Sequence, residues 1–151
     1  MHLTAQNYLA TMIYGGVFDR HSSLRVGVIE LGAMWVGPFV DLLEDRLALS
    51  RRLHESLQRS PREVFVDQIR VTPFFWERTA RQIERYGMSE IYAFSTDFPH
   101  PEGGTDPIGR MAADSTPLGD AAIEAFFVSN AELILPSWYR VFAGNPQLLD
   151  L

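Results

Sequence analysis

The chain has 151 residues, 46% of them hydrophobic, a net charge of −6 and no cysteine. That length supports one domain with a substantial core. The composition excludes disulfides and thiolate metal sites, and the acidic balance argues against a nucleic-acid surface. No apolar run approaches the roughly 18 residues of a membrane span. Met1-His2-Leu3-Thr4 lacks the basic-then-apolar pattern of a secretory signal, so a cytoplasmic protein is expected.

In chain order, Leu9, Met12 and Ile13 share one face and predict a helix over residues 4–14, stopped by Gly15-Gly16. Residues 18–23, with His21, read as a polar surface turn. Residues 24–30 read as a short strand ending in the carboxylate of Glu30, and Gly32 and Gly37-Pro38 punctuate the loop after it. Residues 38–58 have a helical period, with Phe39, Leu42, Leu43, Arg46, Leu47, Leu53 and Leu57 on one face and Leu49 broadening it. The charged residues there, and His54, read as a solvated face.

Ser60-Pro61 ends that helix, and residues 64–71 read as the second strand. Within it Arg70 alternates with Ile69 and Val71 and reads as a surface pairing, with a substrate carboxylate as the other option. Thr72-Pro73 opens a helix whose inner face is Trp76, Ala80 and Ile83, closed by Gly87. Residues 90–95 read as a third strand. A loop rich in Pro, Gly and Asp then runs from Asp97 to Pro107 or as far as Pro117, a length that suits a site wall. Asp120 caps a helix over residues 121–128, and Ser129 or Asn130 starts a short helical turn. The tail 137–151, with Trp138, Tyr139, Val141 and Phe142, is too apolar to be free.

Alternating strands and helices predict an α/β protein with a parallel sheet built from β-α-β units. Three strands leave two open edges, whereas a closed (β/α)8 barrel needs eight strands and about 250 residues. The chain therefore reads as part of something larger, with its edges covered in a homo-oligomer or by a complementary N-terminal chain. Chemistry in such sheets sits at the carboxyl ends of strands. That makes Asp97, in Ser95-Thr96-Asp97-Phe98-Pro99-His100-Pro101, the first candidate metal ligand or base, with His100 and Glu30 beside it. Trp35 reads as a packing residue.

Several segments resemble the amidohydrolase family 2 proteins, the group related to aminocarboxymuconate-semialdehyde decarboxylase. Ile13-Tyr14-Gly15-Gly16-Val17-Phe18-Asp19-Arg20, followed by Leu24-Arg25-Val26, is similar to the family's helix-to-strand passage. Glu30-Leu31-Gly32-Ala33-Met34-Trp35-Val36 resembles the segment after the sixth barrel strand, Ser95 to Pro101 the motif after the eighth, and Asn130-Ala131 the Asn-Ala pair of the closing helix. The resemblance runs from about Ala5 to Pro136. It implies the C-terminal three β-α units of a (β/α)8 TIM-barrel metal-dependent hydrolase, an incomplete barrel occupying residues 1–151 as one domain.

The family implies a divalent metal, commonly zinc, and hydrolysis or non-oxidative decarboxylation of a small carboxylated or cyclic substrate. The metal-binding or proton-handling role of the motif's Asp carries over to Asp97. Glu30 becomes an acid/base or supporting group, in a position where some members have His, and His100 becomes a positioning residue. The family's His-x-His pair and its fifth-strand His have no counterpart here, and His2, His21, His54 and His100 are scattered. One Asp without clustered histidines falls short of the three protein ligands of a catalytic zinc. A catalytically inert fragment, active only with a complementary chain and binding no metal alone, is the alternative expectation.

Overall fold

The computed structural model describes residues 2–135. The tail 137–151, with its expected packing, lies outside the described residues. Helix α1 (His2–Tyr14) buries Leu9 and Ile13. The stretch expected to be a turn instead forms one helical turn, α2 (Val17–Arg20), which buries Phe18. His21 is exposed, as expected.

Strand β1 (Val26–Val28) is followed by α3 (Val36–Leu49) and α4 (Arg51–Ser56). The single helix expected over 38–58 is thus broken. Ser50 leaves helical conformation, ends α3 and caps α4 by accepting a hydrogen bond from Leu53 N. Gly37 and Pro38 lie within the first turn of α3, where proline lacks only an N–H that has no helical partner. The inner face of α3 is Val36, Phe39, Val40 and Leu43, while Leu42 and Leu49 are exposed.

The largest correction falls on residues 64–71. Only Ile69–Val71 is a strand, β2; the preceding residues form helix α5 (Pro61–Gln68). The cause is local. Ser60 Oγ accepts from Glu63 N at 3.2 Å, and Glu63 Oε2 accepts from Ser60 N at 2.7 Å. This reciprocal cap satisfies two free helix N–H groups, and Pro61 is preset for the first turn. The β-branched Val64 and Val66 favoured a strand reading, but Val64, Phe65 and Gln68 are buried at helical spacing.

β1 and β2 pair in parallel, Val26 with Ile69, Gly27 with Arg70 and Val28 with Val71. The expected third strand is reduced to a 3-10 turn, Ser89–Ile91, and one parallel bridge, Val71 to Tyr92. Arg70 is buried, contrary to the surface reading. It donates from Nε to Asn130 O and from Nη1 to the carbonyls of Val66 and Ile69, so none of these donors is left for a substrate carboxylate. Asn130 Nδ2 in turn donates to Ser89 O and Tyr92 O. On the other side, Gln68 Nε2 donates to His21 O and Leu24 O, and Arg59 joins Asp19, Phe18 O and Gln68 Oε1.

Beyond β2 the chain stays irregular until α6 (Thr79–Tyr86). Trp76 therefore precedes the helix and is 51% exposed, not part of a core stripe; Ala80 is buried and Ile83 half-buried. The long loop expected after Asp97 contains a 3-10 turn, Pro101–Gly103, and helix α7 (Pro107–Ser115), capped by Asp106. Helix α8 (Asp120–Phe127) has Gly119 at its N-cap; Asp120 is in the first turn and makes no capping bond. The short turn at Ser129–Leu133 is as expected. No helix among the described residues is long and apolar enough to cross a membrane.

Glu77 clamps the loop after β1 to the loop after β2. Its Oε2 accepts from Ala33 N at 2.8 Å and Phe74 N at 3.2 Å. Gly32 has a φ of 65°, and a Cβ there would meet Glu77 Oε1 at 2.5 Å, so both backbone shape and close approach require glycine. Burial raises the pKa of Glu77 above its ordinary 4.5 against the pull of its backbone hydrogen bonds.

Two outcomes test these assignments. Ser60→Ala should lower stability by about 1 kcal/mol, the usual effect of removing a helix cap, read as a fall in the urea midpoint; a strand at 61–68 would leave it unchanged. The folded state binds the Glu77 proton more tightly than the unfolded chain, so its contribution is fully present below pH 4.5 and falls as pH rises through the raised pKa. Glu77→Gln keeps an acceptor without the charge. The stability of the wild type relative to this variant should decline across that window, and urea midpoints at successive pH values check it.

Candidate metal centre

The parallel pairing sets the carboxyl ends of β1, β2 and the Tyr92 segment side by side. Glu30, Thr72 and Asp97 follow those ends and line one small cavity with Phe74, Phe75 and Ser95. Its free volume is about 10 Å³, room for one water-sized occupant.

The backbone is strained at the two candidate carboxylates. Glu30 has φ 60° and Asp97 φ 56°, left-handed conformations for residues that carry a Cβ. Such geometry costs roughly 1–2 kcal/mol per residue and concentrates at functional sites. Met88, before the Ser89–Ile91 turn, is the other non-glycine residue of this kind among the described residues. Local hydrogen bonds hold the strained turn. Asp97 N donates to Ser95 Oγ at 3.3 Å, Phe98 N to Thr96 Oγ1 at 3.2 Å, and His100 N to Asp97 O at 2.8 Å. A Cβ on Gly103 would collide with the Thr96 carbonyl, so glycine lets the following turn close over the motif. On the other wall, Glu30 N lies 3.4 Å from Thr72 Oγ1.

These turns bring Glu30, Asp97 and His100 together, with one donor atom from each within 4.8 Å of the others. His100 Nδ1 stands 3.5 Å from Asp97 Oδ1 and 3.6 Å from Glu30 Oε1. The scattered histidines of the sequence predict too few ligands; folding places a second carboxylate, Glu30, and one imidazole, His100, beside Asp97. The Asp97 side chain is 12% exposed, those of Glu30 and His100 54% and 56%. The site is thus a buried carboxylate with an open polar rim.

Two observations test whether a metal fits. Asp97 Oδ1 is buried and has no hydrogen-bond partner among the described residues, an expensive state for a carboxylate oxygen. The separations of 3.5 and 3.6 Å are long for hydrogen bonds, yet close to the roughly 3.3–3.5 Å between ligands that each lie about 2.0–2.2 Å from one tetrahedral zinc. The donor set, one imidazole and two carboxylates, belongs to the same chemistry. The residues present fit a divalent cation.

Trp35 is buried, as expected, and donates from Nε1 to Gly32 O. His54 is exposed and far from the chemistry in sequence and surroundings, lining a cavity with Leu57 and Ser60 instead. The sequence reading did not single out Thr72, Phe74 and Phe75 as cavity walls. Their signal is Thr72-Pro73 directly after a strand, a pair that by itself reads as a helix start.

No family model matches the sequence, and no curated protein matches it. Among solved structures, an amidohydrolase from Mycobacterium avium subsp. paratuberculosis K-10 matches with a TM-score of 0.73 and 23% sequence identity over 86% of this chain. This chain spans 33% of that one. At that identity the likeness concerns the fold: the described residues have an amidohydrolase-like fold, with helices around a two-stranded parallel sheet.

Proposed function

We propose that this chain is the C-terminal part of an amidohydrolase family 2 barrel and carries a metal-binding corner of its active site. The reaction is hydrolysis or non-oxidative decarboxylation of a small carboxylated or cyclic substrate. One observation supports this reading above others: Asp97 Oδ1, buried and without a hydrogen-bond partner among the described residues, is turned toward Glu30 and His100 by two strained loops.

In this reading Asp97, Glu30 and His100 would hold a divalent cation, zinc being the ion the family resemblance implies. When bound, such a cation supplies Lewis acidity and lowers the pKa of a neighbouring water to about 7. Asp97, shielded from solvent, orients the attacking group and accepts its proton. Glu30, half exposed, passes protons between the cavity and bulk water. His100, whose Nδ1 lies 3.5 Å from Asp97 and 3.6 Å from Glu30, would serve as the third donor and so position both carboxylates. Phe74 and Phe75 on the facing wall keep bulk water from the cavity, which has room for a water-sized attacking group and not for the substrate body.

A second reading rests on the 33% coverage of the solved amidohydrolase and the exposed rim at Glu30 and His100. Here the chain is inert alone, and a complementary N-terminal chain or a second copy completes the ligand set.

Elemental analysis after dialysis against zinc, with mass in solution, tests both. The purified chain should retain one zinc. Asp97→Ala should weaken retention by more than the roughly 10–100-fold that changes behind a ligand bring. Retention unchanged in Asp97→Ala would overturn the assignment of this residue. A zinc-free chain that gains zinc only on mixing with a complementary N-terminal part would establish the second reading.

A further inference from the structure

The loop between β2 and α6 has two sides. Phe74 and Phe75 face the small cavity, while Trp76 lines a separate groove of about 680 Å³ together with Met34, Arg78, Arg81, Gln82 and Arg85. That volume lies within the range of about 300–1,000 Å³ usual for small-molecule sites. The geometry points to this groove as a second binding site, for a small aromatic or heterocyclic anion that carries a carboxylate or phosphate and a hydrogen-bond donor.

Three features specify that chemistry. The first is charge. Arg78, Arg81, Gln82 and Arg85 follow one another at i, i+3, i+4 and i+7, so they share one side of α6. Arg51, Arg59 and Arg62 each have a carboxylate partner. Arg78 and Arg81 have none among the described residues, and Arg85 meets the ring of Tyr86 at 5.3 Å. In a chain of net charge −6 this is a local positive stripe with one carboxylate, Glu84, on its margin. Guanidinium groups bind carboxylate and phosphate through paired hydrogen bonds.

The second feature is an aromatic shelf. Trp76 is stacked on Phe74, with centroids 4.5 Å apart and planes 11° apart, and meets Phe75 edge-on at 5.0 Å. A half-exposed indole held this way offers flat apolar area with little side-chain entropy left to lose, and Met34, 54% exposed, adds a soft apolar neighbour. The third is a buried acceptor. Gln82 lines the groove and its Oε1 has no hydrogen-bond partner among the described residues; turned toward the groove, it accepts from a ligand hydroxyl or N–H. Charge alone describes a phosphate ion, and the shelf alone an apolar ring. Only a ring bearing both an anion and a donor uses all three.

Calorimetric titration of the full chain tests the site with 4-hydroxyphenylacetate and 4-hydroxyphenyl phosphate as the two anion sources. Inorganic phosphate and 4-methylphenol serve as controls lacking ring or charge. Saturable one-to-one binding of at least one ring-bearing anion is expected. Its affinity should fall about tenfold or more in Arg81→Ala combined with Arg85→Ala and in Trp76→Ala, all exposed positions whose folding is checked by circular dichroism. Asp97→Ala should bind as the wild type does. Which of the two anions binds more tightly identifies the acid group. The proposal is overturned if neither ring-bearing anion saturates, if the controls bind equally well, or if the arginine variant binds unchanged. Loss of binding in Asp97→Ala would also overturn it, since the ligand would then occupy the cavity on the other side of the loop.

Discussion

Parallel alignment of three backbone segments is the constraint on which the rest of this protein depends. β1 and β2 contribute three residues each and the third segment only the bridge at Tyr92. So short a ladder supplies few hydrogen bonds, and each nets only about 0.5–1.5 kcal/mol. Side chains carry the alignment instead. Gln68 ties the start of β2 to the approach to β1, Arg70 and Asn130 tie β2 to the Tyr92 segment, and Glu77 joins two of the loops beyond. Removing any of these buried groups leaves unsatisfied partners, which costs more than the lost bond. The consequence is functional: three carboxyl ends open on the same side, and the candidate ligands meet there.

Several carboxylates of the fold serve structure, and two do not. Asp19 holds Arg59 and Gln58 N, Glu63 caps α5, Asp106 caps α7, Asp114 accepts from Ala80 N, and Glu77 accepts from two loop amides. Their hydrogen-bonding capacity serves structure. Glu30 and Asp97 differ. They sit on left-handed backbone, face one another across a cavity, and share only the long approach of a histidine. Backbone strain and a buried carboxylate oxygen without a hydrogen-bond partner among the described residues both cost energy here, and the second is a cost that a positive charge at this point would offset.

The segment from Thr72 to Trp76 separates two environments of opposite character. On one side lies the carboxylate cavity, on the other an arginine-lined groove, and stacked rings form the partition.

Much of this was legible in the chain itself. The β-α alternation, the short strand before Glu30, the burial of Trp35 and the grouping of Asp97 and His100 in one motif follow from local composition. The sequence alone determined the turn chemistry as well, since Ser95, Thr96 and Gly103 act on their near neighbours. Other readings failed where a long-range or competing local term decides. Residues 64–68 have strand propensity, but the Ser60–Glu63 cap outweighs it. Arg70 alternates like a surface residue, yet the carbonyls that bury it come partly from residue 130, far along the chain. Leu42 fits the apolar stripe of α3 but faces solvent, because what lies against a helix is set by its neighbours and not by its period. The meeting of Glu30 with Asp97 and His100 belongs to the same class. Spacing along a chain says nothing of distance between loops, and only the parallel register of β1, β2 and Tyr92 brings these donors within reach of one ion.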